Sequence, residues 1–246
     1  MPDTLSPLRA AFSGLGPLVY FNHAACAPLA RPVVEAIAGF AEEGARQGSL
    51  GFRSWLERRE RARAAAGRLL GASTGEVAFT TSTSQGLLTV AEGLDWRAGD
   101  RVVVLEGDFP ANRIPWHRLA RRGVQVTVVP RRQGRIDAAA VLGAVDRSTR
   151  LVAVSWVLYD NGCRLDLAAL GAGLAALNRG AERPTLLCVD AIQGLGAFPM
   201  DVERWGIDFL SADSHKWLLG LEGIGLFYCR RSRLPELDSP WLSWWS

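Results

Sequence analysis

The stretch 208-DFLSADSHKWLLG-220 begins as a short apolar strand and turns after Asp213 into a polar segment that holds the only lysine of the chain, Lys216. Lys and Arg together number 28, so the other 27 are Arg. Arg stays protonated at any accessible pH, whereas a buried ε-amine can lose its proton and attack a carbonyl. Lys216 is therefore a candidate nucleophile. Against this stands the plainer reading that an Arg-biased chain kept one surface Lys, and the neighbourhood has to decide between the two.

Outward from this stretch, short apolar runs alternate with helical periodicity. "EVAFT", "RVVVLEG", "VQVTVVP", "RLVAVSWV", "TLLCVDA", "DFLSAD" and "GIGLFYC" read as strands. "RPVVEAIAGFAEEGARQ", "FRSWLERRERARAAAGRLL", "SQGLLTVAEGL", "IPWHRLARRG", "DAAAVLGAV" and "DLAALGAGLAALNRG" read as helices. The pattern predicts an α/β fold with a mostly parallel central sheet covered by helices on both faces. Ligands of such sheets bind beyond the carboxyl ends of the strands. That rule selects Thr83 and Ser84 ahead of a helix expected to start near Gln85, Asp190 at the end of "TLLCVD", and Lys216 just past "DFLSAD".

Composition excludes several other classes. The 246 residues are 48% hydrophobic with a net charge of +3, which fits a globular protein, and the Arg residues are scattered or lie on helix-like runs rather than in a nucleic-acid-binding patch. No apolar stretch is long enough to span a bilayer, and the N-terminus, with an early Asp and two Pro, does not read as a secretory signal. Cys26, Cys163, Cys188 and Cys229 are widely spaced, the pattern of reduced thiols in a cytoplasmic protein. His23, His117 and His215 stand at no metal-ligand spacing, so no metal is expected. No strand runs into Gly-x-Gly-x-x-Gly, which argues against a nicotinamide-binding dehydrogenase.

Each selected residue has a chemical use. Hydroxyls and free amides at a strand-to-helix junction suit a phosphate. An Asp can pair with a protonated ring nitrogen, and a lysine amine can hold an aldehyde as a Schiff base. Phosphate, ring nitrogen and aldehyde together describe pyridoxal 5'-phosphate. Singly, Thr83 and Ser84 are no more than helix-capping candidates and Asp190 a loop-capping one.

The segments "FNHAACAPLARPVV", "FTTSTSQGLLTVAEGLDWRAGDRVVV", "EGDFPANRIPW", "VDAIQGLGAFPMDV" and "DFLSADSHKWLLGLEGIGLFY" resemble, in order, the class V aminotransferase family over about residues 19 to 230. That group of fold-type I pyridoxal-phosphate enzymes includes cysteine desulfurases, kynureninases and isopenicillin-epimerase-like proteins. The resemblance implies that Lys216 forms the Schiff base, Asp190 pairs with the pyridine nitrogen and Gln193 meets the phenolic oxygen. It also implies that Thr83, Ser84 and His215 hold the phosphate, that Phe109 lies on the ring face, and that Asn22, His23 and Ala24 approach the substrate.

Phe109, where desulfurases place His, Asp213, where they usually have Ser, and Tyr159, where many relatives have Asn, disfavour a desulfurase. The expected substrate is a small amino acid or amine, the expected partner a second copy of the chain. Family members continue past "SPWLSWWS" into a C-terminal domain. Residues 1–246 are therefore expected to be the cofactor-binding large domain, with an N-terminal segment 1–30 and without the small domain. On that expectation Trp241, Trp244 and Trp245 are core left uncovered. The alternative to an enzyme is a truncated, non-catalytic fragment with the inherited fold, one that only binds cofactor or merely self-associates.

Overall fold

The protein is seen in a computed structural model that describes residues 6–241. Seven strands form one sheet: β1 (Val77–Thr80), β2 (Arg101–Leu105), β3 (Gln125–Val129), β4 (Thr149–Ser155), β5 (Leu186–Asp190), β6 (Phe209–Asp213) and β7 (Gly225–Cys229). Every strand expected from the sequence is present. Their order across the sheet is β1-β7-β6-β5-β4-β2-β3. Only β7 runs antiparallel, to both β6 and β1, so "GIGLFYC" is the reversed strand expected from the resemblance. All five residues of β5, β6 and β7 are buried, which explains why these strands read as continuous apolar runs.

The helices are α1 (Ser6–Ala11), α2 (Arg31–Gln47), α3 (Phe52–Leu70), α4 (Thr83–Gly93), α5 (Ile114–Arg118), α6 (Ala138–Gly143) and α7 (Leu167–Leu177). Leu70 of α3, Val141 of α6 and Leu170 of α7 pack on one face of the sheet with Val103, Val152 and Leu187. Leu87 and Val90 of α4 and Trp116 of α5 pack on the other with Val102, Leu151 and Phe209. The alternation of Val102, Val103 and Val104 between the two clusters follows from the two-residue period of a strand.

Two boundaries differ from the sequence reading. The segment 114–123 is α-helical only to Arg118 and then tightens into a 3-10 turn, Leu119–Arg122, ended by Gly123 at φ 76°. The helix expected to start near Gln85 begins two residues earlier, at Thr83, because Ser82 is the cap: its hydroxyl accepts from Gln85 N at 3.1 Å. Gly86 lets α4 lie close on the sheet, since a Cβ there would stand 2.3 Å from Ser211 Oγ. The expected tryptophan cluster is described only in part. Trp241 is 52% exposed, and Trp244 and Trp245 lie outside the described residues.

Candidate functional site

The carboxyl ends of β1, β2, β4, β5 and β6 share one edge of the sheet, and the selected residues gather there. Asp190 closes β5 and is almost wholly buried; among the described residues its only side-chain hydrogen bond is from Ile192 N to Oδ1, at 3.1 Å. Burial raises its pKa to about 7, with the nearby Asp108 charge adding to the effect and Lys216 opposing it. A buried carboxylate with one amide donor favours either a proton or a cationic partner.

Lys216 follows β6 and is 9% exposed. Its Nζ makes no hydrogen bond among the described residues and stands 5.7 Å from the centroid of the Phe109 ring. Burial lowers its pKa, against the charges of Asp190 and Asp213, which raise it. The chain turns sharply beyond it. Leu219 has φ 59°, and Gly220 N donates to Ser214 O at 2.9 Å. A non-glycine residue in the left-handed region is uncommon and is held here by that closure.

At the β1 end, the first turn of α4 presents the backbone amides of Thr83 and Ser84. Thr83 is structurally engaged: its Oγ1 accepts from Asp213 N at 2.8 Å, and its carbonyl accepts from Ser211 Oγ at 3.0 Å. Ser84 is exposed, and its hydroxyl has no partner among the described residues. Two buried polar atoms at this end of the sheet also lack hydrogen-bond partners, Thr80 Oγ1 and His215 Nδ1. The latter is 3.2 Å from Asp213 Oδ1. The geometry of that approach does not make a hydrogen bond.

Gln193 is buried and engaged at both ends. Its Nε2 donates to Ala24 O at 2.8 Å, and its Oε1 accepts from Trp217 Nε1 at 2.9 Å. The contact brings the N-terminal segment over the site. His23 stacks on Trp217 with centroids 5.5 Å apart, and Ala27 N donates to His215 O at 2.7 Å. Asn22 is exposed, and its carbonyl receives the amides of Ala25 and Cys26. Phe109, 42% exposed, meets Tyr159 edge to face at 5.2 Å.

Sequence reasoning passed over Asp108, Ser155, Asn112 and Trp217. Trp217 adjoins Lys216 and had that adjacency as a signal. Asp108 had only its place after a strand, a signal shared with any loop-capping Asp. The residues present fit pyridoxal 5'-phosphate: an amine of lowered proton affinity, a buried carboxylate wanting a cation, and free amides beside orphaned polar atoms for a phosphate. Among the described residues no group of three or more His, Cys, Asp or Glu is placed to hold a metal, and no helix is long and apolar enough to cross a membrane.

A mostly parallel α/β sheet with a secluded amine and carboxylate at its carboxyl edge is the architecture of the fold-type I class. The family model of Aminotransferase class-V matches residues 19–243, and the chain belongs to that pyridoxal-phosphate-dependent family.

A protein named probable cysteine desulfurase from Methanothermobacter thermautotrophicus is 37% identical over 226 residues, covering 89% of this chain and 55% of the relative. The uncharacterized aminotransferase YcbU of Bacillus subtilis is 32% identical, covering 88% of this chain and 56% of the relative. A solved structure of a C-DES mutant, with glycine covalently linked to its PLP cofactor, superposes with TM-score 0.88 at 26% identity over 99% of this chain and 63% of that one. The apo cysteine desulfurase of Thermococcus onnurineus superposes with TM-score 0.86 at 25% identity, over 99% of this chain and 61% of that one. The chain thus spans little more than half the length of these two curated relatives.

Proposed function

We propose that this chain holds pyridoxal 5'-phosphate at the carboxyl edge of its sheet, as the large domain of an enzyme acting at the α-carbon of an amino acid or amine. The observation that carries the reading is Lys216, a buried amine without a hydrogen bond among the described residues, at the same carboxyl edge as Asp190, a buried carboxylate that accepts there from one amide only. Lys216 Nζ would hold the cofactor through its aldehyde. Asp190 keeps the pyridine nitrogen protonated, and Gln193 meets the phenolic oxygen. Thr83 and Ser84, through the amides of the first turn of α4, hold the phosphate with His215. Phe109 covers the ring, while Asn22, His23 and Ala24 border the substrate.

When bound, the cofactor supplies an electron sink for the pair left by a broken bond at the substrate α-carbon. Lys216 Nζ would then be the group placed to take up and return the α-proton of the substrate. The N-terminal segment is tied to this edge of the sheet through Ala24 and Ala27.

Desulfuration of cysteine is the second reading, favoured by the names of several relatives. The first is preferred because Phe109 offers no titratable group beside Lys216, and Asp213 puts a carboxylate near His215. A homodimer in the cytoplasm completes the proposal. It is supported by α2, which buries no residue and exposes Val34, Ile37 and Phe40, and by four unpaired cysteines.

Incubation with pyridoxal 5'-phosphate, borohydride reduction and peptide mass mapping test the reading. A pyridoxyl group on Lys216 is the expected result. Label confined to the N-terminal amine would refute it.

A further inference from the structure

Asp108 is 1% exposed, follows β2 and is fully occupied. Oδ1 accepts from Phe109 N at 2.7 Å and from Ser155 Oγ, while Oδ2 accepts from Asn112 Nδ2 at 3.0 Å and from Ser155 N at 3.1 Å. Asn112 in turn accepts from Trp116 Nε1 at 3.1 Å, anchoring the arrangement in the core beside α5. The place in the fold is equally specific. From β2 the chain runs outward to β3, and from β4 it runs the other way to β5, so the adjacent β2 and β4 ends form the topological switch point of the sheet. Asp108 bridges those two ends.

We propose that Asp108 is a positioning residue of the cofactor site: its carboxylate clamps the turn that carries Phe109 to the end of β4 and thereby fixes the Phe109 ring against Lys216. The proposal rests on the assignment of Phe109 and Lys216 to that site. Three observations carry it. The Phe109 amide is one of the four donors, so the ring is one residue from the clamp. Ser155, the other anchor, is the register partner of Asp190, so the clamp sits beside the carboxylate assigned to the pyridine nitrogen. The Asp108 charge also raises the proton affinity of Asp190, which a neutral residue of the same shape would not do. Each oxygen serves two donors, so an amide at this position leaves two donors without an acceptor whichever way it is turned.

The single lysine makes the proposal testable without cofactor. In protein labelled with [13Cε]lysine, one ε-CH2 resonance reports Lys216, and an upfield displacement by the Phe109 ring is expected, since Nζ lies over that ring at 5.7 Å from its centroid. Phe109→Leu sets the undisplaced position. Asp108→Asn is expected to lose at least half of the displacement and Ser155→Ala a smaller part, while far-UV circular dichroism stays that of the folded protein. A wild-type displacement in a folded Asp108→Asn protein would overturn the proposal. If that variant does not fold, Ser155→Ala decides, and an unchanged resonance there overturns it. With pyridoxal 5'-phosphate added, Asp108→Asn is expected to weaken the visible circular dichroism of the bound cofactor at least twofold. An unchanged signal would also count against the clamp. Absence of a pyridoxyl group on wild-type Lys216, with the resonance still responding to Asp108→Asn, would instead sink the cofactor reading and leave the clamp standing.

Discussion

Gln193 donates its side-chain N–H to the carbonyl oxygen of Ala24 at 2.8 Å, a contact between residues 169 apart in sequence. With Trp217 Nε1 bonded to the other end of the same amide, one side chain joins the N-terminal segment to the Lys216 loop. Gln193→Leu removes both bonds and strands the indole N–H. Two net hydrogen bonds amount to about 1–3 kcal/mol, and their loss falls on local opening of residues 20–27 rather than on the sheet. Amide exchange at Ala25–Ala27 should speed up roughly tenfold or more while amides of β5 and β6 are unchanged, as read by hydrogen–deuterium exchange. Equal protection of Ala25–Ala27 in the two proteins would show that Gln193 does not hold the segment.

Asp190 makes the cofactor-free fold pH-sensitive. Its folded pKa, about 7, lies above the ordinary 3.8, so between these values the native state holds a proton that the unfolded chain has lost. Stability contributed by this group is present in full below about pH 4, falls as pH rises to about 7, and is level above that. Asp190→Asn cannot ionise, and its oxygen can still accept from Ile192 N. Denaturant unfolding without cofactor should therefore show the variant more stable than the parent at pH 8, by on the order of 2–4 kcal/mol, and no such gain at pH 4. The same variant should bind pyridoxal 5'-phosphate more weakly, because the amide cannot pair with a pyridinium. A constant stability difference from pH 4 to 8 would contradict the raised pKa.

Much of this fold was legible because each strand is a short apolar run, demanded by a sheet covered on both faces, and β2, β3, β5 and β6 end at or near a Gly, Pro or Asp. The start of α4 was not. Residues 80–84 read Thr-Thr-Ser-Thr-Ser, and every one of them is a possible cap. What selects Ser82 is the end of β1, set by the pairing of Thr80 with Gly225 across the sheet. Lys216 stood out by its rarity and Asp190 by its place at a strand end. Asp108 was silent because its donors come from positions 109, 112 and 155, which only the β2–β4 pairing brings together. The engagement of Gln193 by Ala24 was hidden for the same reason.

Gly86 couples packing to the phosphate end of the site. A methyl there would meet Ser211 Oγ at 2.3 Å and the Phe227 ring at 3.1 Å, so Gly86→Ala must lift α4 from β6 and β7. Such overpacking costs about 1–3 kcal/mol, with Tm falling by ~2–4 °C for each. The displaced first turn should also bind inorganic phosphate less well, measured as lost thermal protection by added phosphate. Ser211→Gly added to Gly86→Ala should restore part of the Tm, since it removes the nearest atoms. An unaltered Tm in Gly86→Ala would show that α4 does not pack so closely.

Lys216 allows a test of charge apart from nucleophilicity. Burial lowers its pKa from the usual 10.5, while Asp190 and Asp213 oppose that change. In the cofactor-free protein, the pH dependence of acylation by an amine-reactive probe, read on the Lys216 peptide, should have its midpoint below 10.5. Asp190→Asn should move that midpoint lower still, because one of the two charges favouring the protonated amine is gone. Lys216→Arg keeps a positive charge that interacts with Asp190 and Asp213 but supplies no group able to join the cofactor aldehyde. It should fold, retain weak non-covalent binding of pyridoxal 5'-phosphate through the turn at Thr83 and Ser84, and yield no pyridoxyl peptide after borohydride except at the N-terminus. A wild-type visible spectrum in Lys216→Arg would show that the lone lysine is only one cation among 28, kept by chance.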